Sequence, residues 1–305
     1  MKKYKKIIIL LILLLSLTGC AKVLKDKNGK VVQVKETGQN LIENVLCQPT
    51  KENTIKLYEE NGVDISKLPK CTSFKPTDGK YEGIWNTIFV KPLAWIIIKL
   101  GKYVKNYGLA IILVTLALRL VVMPVTKKTA MQSENVQKAK PELDRLEAKY
   151  RDSNSQQEMM MKSQEMLAIY KKYNISPASG CIFALIQIPL FFAFYESMNR
   201  VPVVFEGTFL KIFSLGTSPL TAIQNGEWYY LVLVVLVAAV TYFSFKLNKT
   251  ASMNSEQAKS MAMTTNITVI FIIIASFTIS TSIALYWIFN SGFTIVQNLL
   301  VKRGN

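Results

Sequence analysis

The chain has 305 residues, half of them hydrophobic, with a mean hydropathy of +0.24, a formal net charge of +17 and no histidine. Without histidine it lacks the usual general base, the commonest metal ligand and any Ser-His or Cys-His nucleophile pair. It also holds no GxxxxGK(S/T) phosphate loop, HExxH zinc helix or GxSxG elbow, so no enzymatic activity, cofactor or metal is expected. In so apolar a chain the excess lysines are expected to meet lipid headgroups and acidic protein segments rather than nucleic acid, and no small-molecule substrate is indicated.

MKKYKKIIILLILLLSLTGC opens with Lys2, Lys3, Lys5 and Lys6 ahead of an apolar run from Ile7 to Leu15, the anatomy of a signal peptide over residues 1–19. Leu17-Thr18-Gly19-Cys20 has the form of a lipobox, which would place a lipid on the Cys20 thiol and cut the chain before it; an uncleaved anchor is the alternative. Residues 20–80 are lysine-rich, carry turn formers such as Asn28-Gly29 and Asn61-Gly62, and read as a small, loosely ordered extracytoplasmic segment. In an oxidising compartment Cys47 and Cys71 would close a disulfide; two free thiols in a flexible tail are the alternative. Residues 81–106 read as an interfacial amphipathic helix on the outer headgroups. Leu93, Ile96, Ile97 and Leu100 lie on one side, with Lys99, Lys102 and Lys105 along the other.

The first span is expected over residues 107–126 and carries Arg119. A charged residue near a helix centre costs roughly 2.5 to 3.5 kcal/mol on insertion scales, so it marks a wet or paired functional position unless the guanidinium snorkels to the nearby interface. Residues 127–176 hold ten Lys or Arg against seven Asp or Glu, which places them in the cytoplasm. The second span, 177–198, leads to an outer loop at 199–227; the third, 228–245, leads to a cytoplasmic loop at 246–265. From Asn266 to Val301 no charged residue occurs, and 36 residues are too many for one crossing, so two short spans are expected at 266–281 and 283–300 with a tail at 301–305 inside. The fold class is therefore an all-α integral membrane protein with five transmembrane helices after signal cleavage, a cytoplasmic helical hairpin and an outer interfacial helix.

The hairpin is expected to break near Asp152-Ser153-Asn154. Leu143, Leu146 and Tyr150 recur at helical spacing in its first arm, and Met159, Met166 and Tyr170 in its second. Such stripes pack two arms together, but Met159, Met160, Met161 and Met166 with Met131 also make a polarizable set able to accept varied apolar partners. In the last span Tyr286, Asn290, Thr294 and Gln297 share one helix face beside Trp287; Gln187 sits mid-span in the second helix and Thr115 one turn before Arg119. Each alone reads as interhelical glue, and together with Arg119 they favour a wet, cationic cavity. No carboxylate stands near its centre, which argues against ion-coupled transport.

GLAIILVTLALRLVVMPVT, KPELDRLEAKY, EMLAIYKKYNISPASGC, ALIQIPLFFAFYESM and ALYWIFNSGFTIVQ, in this order, resemble the YidC-type membrane protein insertases, in the lipoprotein branch of Gram-positive bacteria. The resemblance implies that Arg119 lies in a hydrophilic groove open to cytoplasm and lipid, and that 177–198 and 283–300 form a slide for an incoming span. Acidic client tails would be drawn to Arg119 with no nucleotide consumed. It also implies nascent integral membrane proteins as partners, with the Sec translocon and ribosome beside the lipid bilayer, and a bacterial cell-membrane location with an outer lipid anchor. A membrane-complex assembly scaffold and a channel or transporter are the competing readings.

Overall fold

The computed structural model describes residues 21–151, 155–176, 179–247 and 255–303, the side chains of 179–185, 255–262 and 303 excepted. The expected signal peptide, Cys20 and the hairpin break at Asp152-Ser153-Asn154 lie outside the described residues. The described chain divides into two compact units. The first takes its residues from Met1–Ala117, Leu185–Val237 and Ile274–Phe289, the second from Leu118–Ala184, Ala238–Ile273 and Asn290–Asn305.

In the first unit, β1 (Gln33–Val34) and β2 (Gln39–Asn40) pair antiparallel across a turn in which Gly38 adopts φ +68°. No side chain fits there, since a Cβ on Gly38 would stand 2.3 Å from the Thr221 hydroxyl oxygen. Helix α1 (Glu52–Glu60) follows, and a Cys47–Cys71 disulfide joins the stretches on either side of it. Leu24, Val32, Val34, Leu41, Val45, Tyr58 and Ile65 bury together with Phe205. The Glu206 carboxylate accepts the backbone N–H groups of Thr50 and Lys51 at 2.9 and 3.2 Å, just ahead of α1. The lysine-rich segment thus has a core where its composition led us to expect loose order. Its apolar residues sit on two-residue strands and isolated bridges, too short to leave a period, and Phe205 completes the core from far along the chain.

Helix α2 (Lys91–Val104) buries Leu93, Ala94, Ile97, Ile98 and Gly101 within this unit. Ile96, expected on the same apolar side as Leu93 and Ile97, is exposed. The small residues shift the buried face: a Cβ on Gly101 would lie 2.2 Å from the Tyr107 ring, so close packing selects the Ala94–Gly101 line. Lys105 turns the chain at φ 53°, and Asn106 Oδ1 accepts the Leu109 N–H at 2.9 Å to start the next helix.

Helix α3 (Tyr107–Lys149) runs unbroken for 43 residues, about 64 Å at 1.5 Å per residue. The expected boundary at residues 126–127 is a change of composition inside one helix, not an end. The other long helices are α4 (Gln156–Lys172), α5 (Ser179–Asn199), α6 (Leu231–Leu247), α7 (Ser255–Ser276) and α8 (Thr281–Arg303). Strands β3 (Thr208–Phe209) and β4 (Phe213–Ser214) form a short hairpin in the first unit. Among the described residues three helices are long and apolar enough to cross a membrane: Tyr107–Lys149, Trp228–Leu247 and Thr281–Lys302, with Met263–Ser276 apolar but shorter. The break expected between the spans 266–281 and 283–300 comes earlier, since α7 ends at Ser276 and α8 starts at Thr281. The Thr217 carbonyl fixes the turn by accepting both the N–H and the hydroxyl of Thr281.

In the second unit the distal half of α3 packs on α4. Ala139, Leu146 and Tyr150 bury against Met166, Tyr170 and Ile175. The hairpin base is closed by Gln132, whose amide donates to the Asn174 carbonyl at 3.0 Å and accepts the Ser176 N–H at 2.6 Å. Ser155 caps α4 by accepting the Glu158 N–H. Replacing Met166 with alanine should lower hydrogen-exchange protection across both arms by about 2 to 4 kcal/mol, whereas Met160→Ala should change it by less than about 0.5. Exchange measured on the full chain in detergent or nanodiscs checks this, and equal effects of the two substitutions would contradict the packing described.

Candidate functional site

Arg119 is 2% exposed although it stands on an apolar stretch of α3. In the second unit its Nε donates to Asn290 Oδ1 of α8 at 2.6 Å. Seven residues further along each helix, the Thr126 hydroxyl and the Gln297 amide exchange hydrogen bonds at 3.0 Å. Both pairs are separated by 171 residues, so these stretches of α3 and α8 run parallel, joined by two polar clasps one heptad apart. Thr294 lies between the clasps and donates its hydroxyl to the Asn290 carbonyl at 3.1 Å, an in-helix bond that satisfies a buried polar group.

Beside the clasps, the same two helix segments line a cavity of about 410 Å³. Its walls are Leu120, Met123 and Met131 of α3 and Phe293, Val296, Leu300 and Val301 of α8, with Gln297 and Lys127 as the polar members. Lys127 is exposed. Apolar walls carrying one cation and one amide suit a long apolar group with a polar end.

The remaining predicted groove residues belong to the first unit. Gln187 donates its amide to the Tyr286 hydroxyl at 3.2 Å, while Tyr286 is fully buried and stacks on Phe194 with ring centroids 4.3 Å apart. Trp287 meets Phe191 edge-on at 5.7 Å. Thr115 is buried and returns its hydroxyl to the Ile111 carbonyl of its own helix at 2.7 Å. The eight expected groove residues therefore fall into two sets: Arg119, Asn290, Thr294 and Gln297 in the second unit, and Thr115, Gln187, Tyr286 and Trp287 in the first.

On the hairpin, Met159, Met160 and Met161 are exposed, Met160 at 62%. Met166 corrects the expectation that it joins them in contacting a partner. At 4% exposure it belongs to the core between the arms, because its position on α4 places it one turn from Tyr170 on the inward face. Two ion pairs flank that core: Lys149 with Glu165 at 2.6 Å and Lys172 with Glu142 at 2.5 Å, the carboxylates also accepting from the hydroxyls of Tyr150 and Tyr173. Hydrogen bonding to these lysines, and then to the tyrosines, holds both carboxyls below the ordinary value of 4.5.

Sequence reading missed Thr126 as a partner, although its seven-residue distance from Arg119 repeats the Asn290–Gln297 spacing. It also missed a buried cation in the first unit. Arg200 is 0% exposed; its Nη2 pairs with Glu82, its Nη1 donates to Asn86 Oδ1 at 2.6 Å and its Nε donates to the Asn44 carbonyl at 2.7 Å. Nearby, Trp85 donates its indole N–H to Glu196 at 3.1 Å. The signal was Glu196 and Arg200 spaced four apart at the end of a span. Among the described residues no group of three or more His, Cys, Asp or Glu is placed to hold a metal ion.

The family model described as the 60 kDa inner membrane protein matches residues 99–305 of the chain. The chain is 33% identical over 244 residues to the membrane protein insertase YidC of Oceanobacillus iheyensis, an alignment covering 77% of this chain and 91% of that one. The chain belongs to the YidC family of membrane protein insertases. The insertase MisCA of Bacillus subtilis matches at 33% over 77% of this chain and 86% of its own, and YidC 2 of Listeria monocytogenes at 32% over 73% and 78%. As a YidC-family member the chain is a multi-pass protein of the cell membrane. The 60 kDa match begins inside α2, so both clasps, the hairpin and the cavity lie within it.

Glu142 and Glu165 contribute stability that is fully present above the ordinary carboxyl value of 4.5 and is lost as pH falls through their lower folded values. Hairpin exchange protection should be level from pH 7 to about 5 and decline below 4.5. A chain carrying both Glu142→Gln and Glu165→Gln should lose most of that acid-dependent decline, as read by exchange at matched intrinsic rates.

Proposed function

We propose that the chain inserts newly made integral membrane proteins into the bilayer, and helps them fold, through a cationic hydrophilic groove open to the cytoplasm and lipid. The observation that carries this is the setting of Arg119. Arg119 is buried on an apolar stretch of α3, hydrogen-bonded to Asn290 of α8 and one heptad from the Thr126–Gln297 clasp, so a permanent cation stands in a polar seam within the span. A client span of about 20 apolar residues partitions downhill into lipid, and the work of the protein is to lower the barrier for its polar flank. A buried cation in a polar seam does this by attracting the flank part-way into the membrane. No nucleotide enters this cycle, and no residue has a catalytic role.

The topology we infer has five crossings after removal of residues 1–19, with a lipid on Cys20 anchoring the outer face. In its support, α3, α5, α6, α7 and α8 each carry an apolar stretch and follow one another in the chain, with the α4 arm between the first two. The Cys47–Cys71 disulfide suits an oxidising outer compartment for the lysine-rich segment, and the positive hairpin suits the cytoplasm. The hairpin, with Met159, Met160 and Met161 outward, would receive the client first, and the Sec translocon and ribosome are the partners from which clients would arrive. The exposed methionines also favour a second role, holding apolar segments during assembly of membrane complexes.

Arg119→Ala should cut insertion of a single-span client with an acidic tail by roughly ten- to hundredfold, the worth of a charged hydrogen bond, while Arg119→Lys should retain much of it. The measurement is protease-protected insertion of a translated client into liposomes holding only the purified full chain. Full insertion by the alanine variant for several acidic clients would refute the role given to Arg119.

A further inference from the structure

Helix α2 buries Leu93, Ala94, Ile97 and Ile98 in the first unit, so the large apolar side chains it leaves exposed are Ile96 and Tyr103, with Ile88 and Phe89 exposed just before its start. Trp95 and Lys99 stand one turn apart on the same helix, the Lys99 ammonium 5.9 Å from the centre of the Trp95 ring. Together with residues 73–77 they line a cavity of about 480 Å³. Its walls include Phe74, Pro76 and Trp95, and its charged members are Lys75 and Lys99.

The segment opposite α2 is fastened at both ends. A disulfide ties Cys71 to Cys47 just ahead of it, and Phe74 is buried. The Asp78 carboxylate accepts the Lys75 backbone N–H at 2.8 Å. The buried Lys91 ammonium of α2 donates to the carbonyls of Asp78 and Lys80 at 2.7 and 3.1 Å. A lysine at the start of α2 thus holds the segment against the helix that carries Trp95 and Lys99. Two lysines line one cavity, and among the described residues no carboxylate lines it with them. Like charges so placed repel, and an anion between them relieves the repulsion.

We propose that this cavity binds the phosphate headgroup of an anionic phospholipid, whose acyl chains run along the exposed apolar side chains of α2 and of the residues just before it. Charge complementarity selects an anionic headgroup. A choline headgroup would bring a third cation to a site where an ammonium already stands near the one aromatic face of the cavity. The apolar and aromatic walls select a lipid over a soluble phosphate, since a tryptophan ring beside lysines suits the boundary between headgroup and chain. A lipid held there fixes α2 and the disulfide-bonded segment at headgroup level.

The test titrates the purified full chain in detergent with phosphatidylglycerol and reads bound lipid by native mass spectrometry. Phosphatidylcholine, glycerol phosphate and an acidic peptide are the comparison ligands. Lys75→Gln combined with Lys99→Gln should weaken phosphatidylglycerol binding roughly twenty- to thirtyfold, about fivefold for each lysine removed. Lys102→Gln combined with Lys105→Gln, an equal loss of charge beside the cavity, should change it less than about twofold. Trp95→Leu, which keeps both charges, should weaken it roughly three- to tenfold. The proposal is overturned if both double variants weaken phosphatidylglycerol alike, the signature of diffuse attraction to a basic surface, or if phosphatidylcholine binds as tightly. Glycerol phosphate binding as tightly as the lipid assigns the cavity to soluble phosphates, and displacement of the lipid by an equal concentration of the acidic peptide assigns it to a protein segment; either result overturns the lipid.

Discussion

The cost of keeping a guanidinium inside an apolar helix governs this molecule. On insertion scales it is roughly 2.5 to 3.5 kcal/mol, and it is met only if polar atoms stand at the depth of Arg119. Asn290 does this from α8, and it can do so only because α8 keeps a polar face in register with α3 for at least two turns. Parallel alignment of those segments sets a condition on everything between them: the chain must return to its starting side before α8 begins. On the five-crossing reading α5, α6 and α7 supply the odd number of traverses needed.

Two buried arginines show two ways of meeting the same cost. Arg200 is saturated: a carboxylate, a side-chain amide and a backbone carbonyl occupy all three nitrogens. Its charge is neutralised where it stands, and its contacts with Glu82, Asn86 and Asn44 tie the end of α5 to the lysine-rich segment; the backbone bond from Leu46 N–H to the Arg200 carbonyl adds to the same junction. Removing one partner of such a buried pair is expensive, which makes Arg200 a fixed joint. Arg119 instead donates to a side-chain amide of a neighbouring helix and stands in a polar seam. On the reading proposed above, Arg200 holds a structure together and Arg119 attracts a client.

The elements most legible in the sequence were those where polarity breaks an apolar background. Arg119, Asn290, Gln187 and Tyr286 were visible because each is anomalous in its helix. The parts that escaped notice lacked such contrast. The continuity of α3 was hidden because the composition changes at Lys127 while helix-forming residues continue on both sides, so polarity marked a boundary that the backbone does not observe. Met166 and Met160 look alike as residues, and only the partner arm decides which one is buried. The core around Tyr58 and Phe205 was invisible for another reason: its members lie on elements too short to carry a period.

Continuity of α3 also bears on how the hairpin and the clasps act together. The helix that carries Arg119 becomes, without interruption, the arm that packs against α4, so hairpin and arginine share one backbone within the second unit. Between the two clasps lies Pro124, which removes one rung of the helical ladder where the seam is held only by side chains. Helices bend most readily at such a position. Below it, the Thr126 hydroxyl accepts the Gln297 amide N–H at 3.0 Å, and its single proton is shared among the Gln297 amide oxygen and the carbonyls of Val122 and Met123. A second proline, Pro141, lies further along the same helix in the hairpin arm, so the ladder lacks a rung both between the two clasps and within the arm that packs on α4.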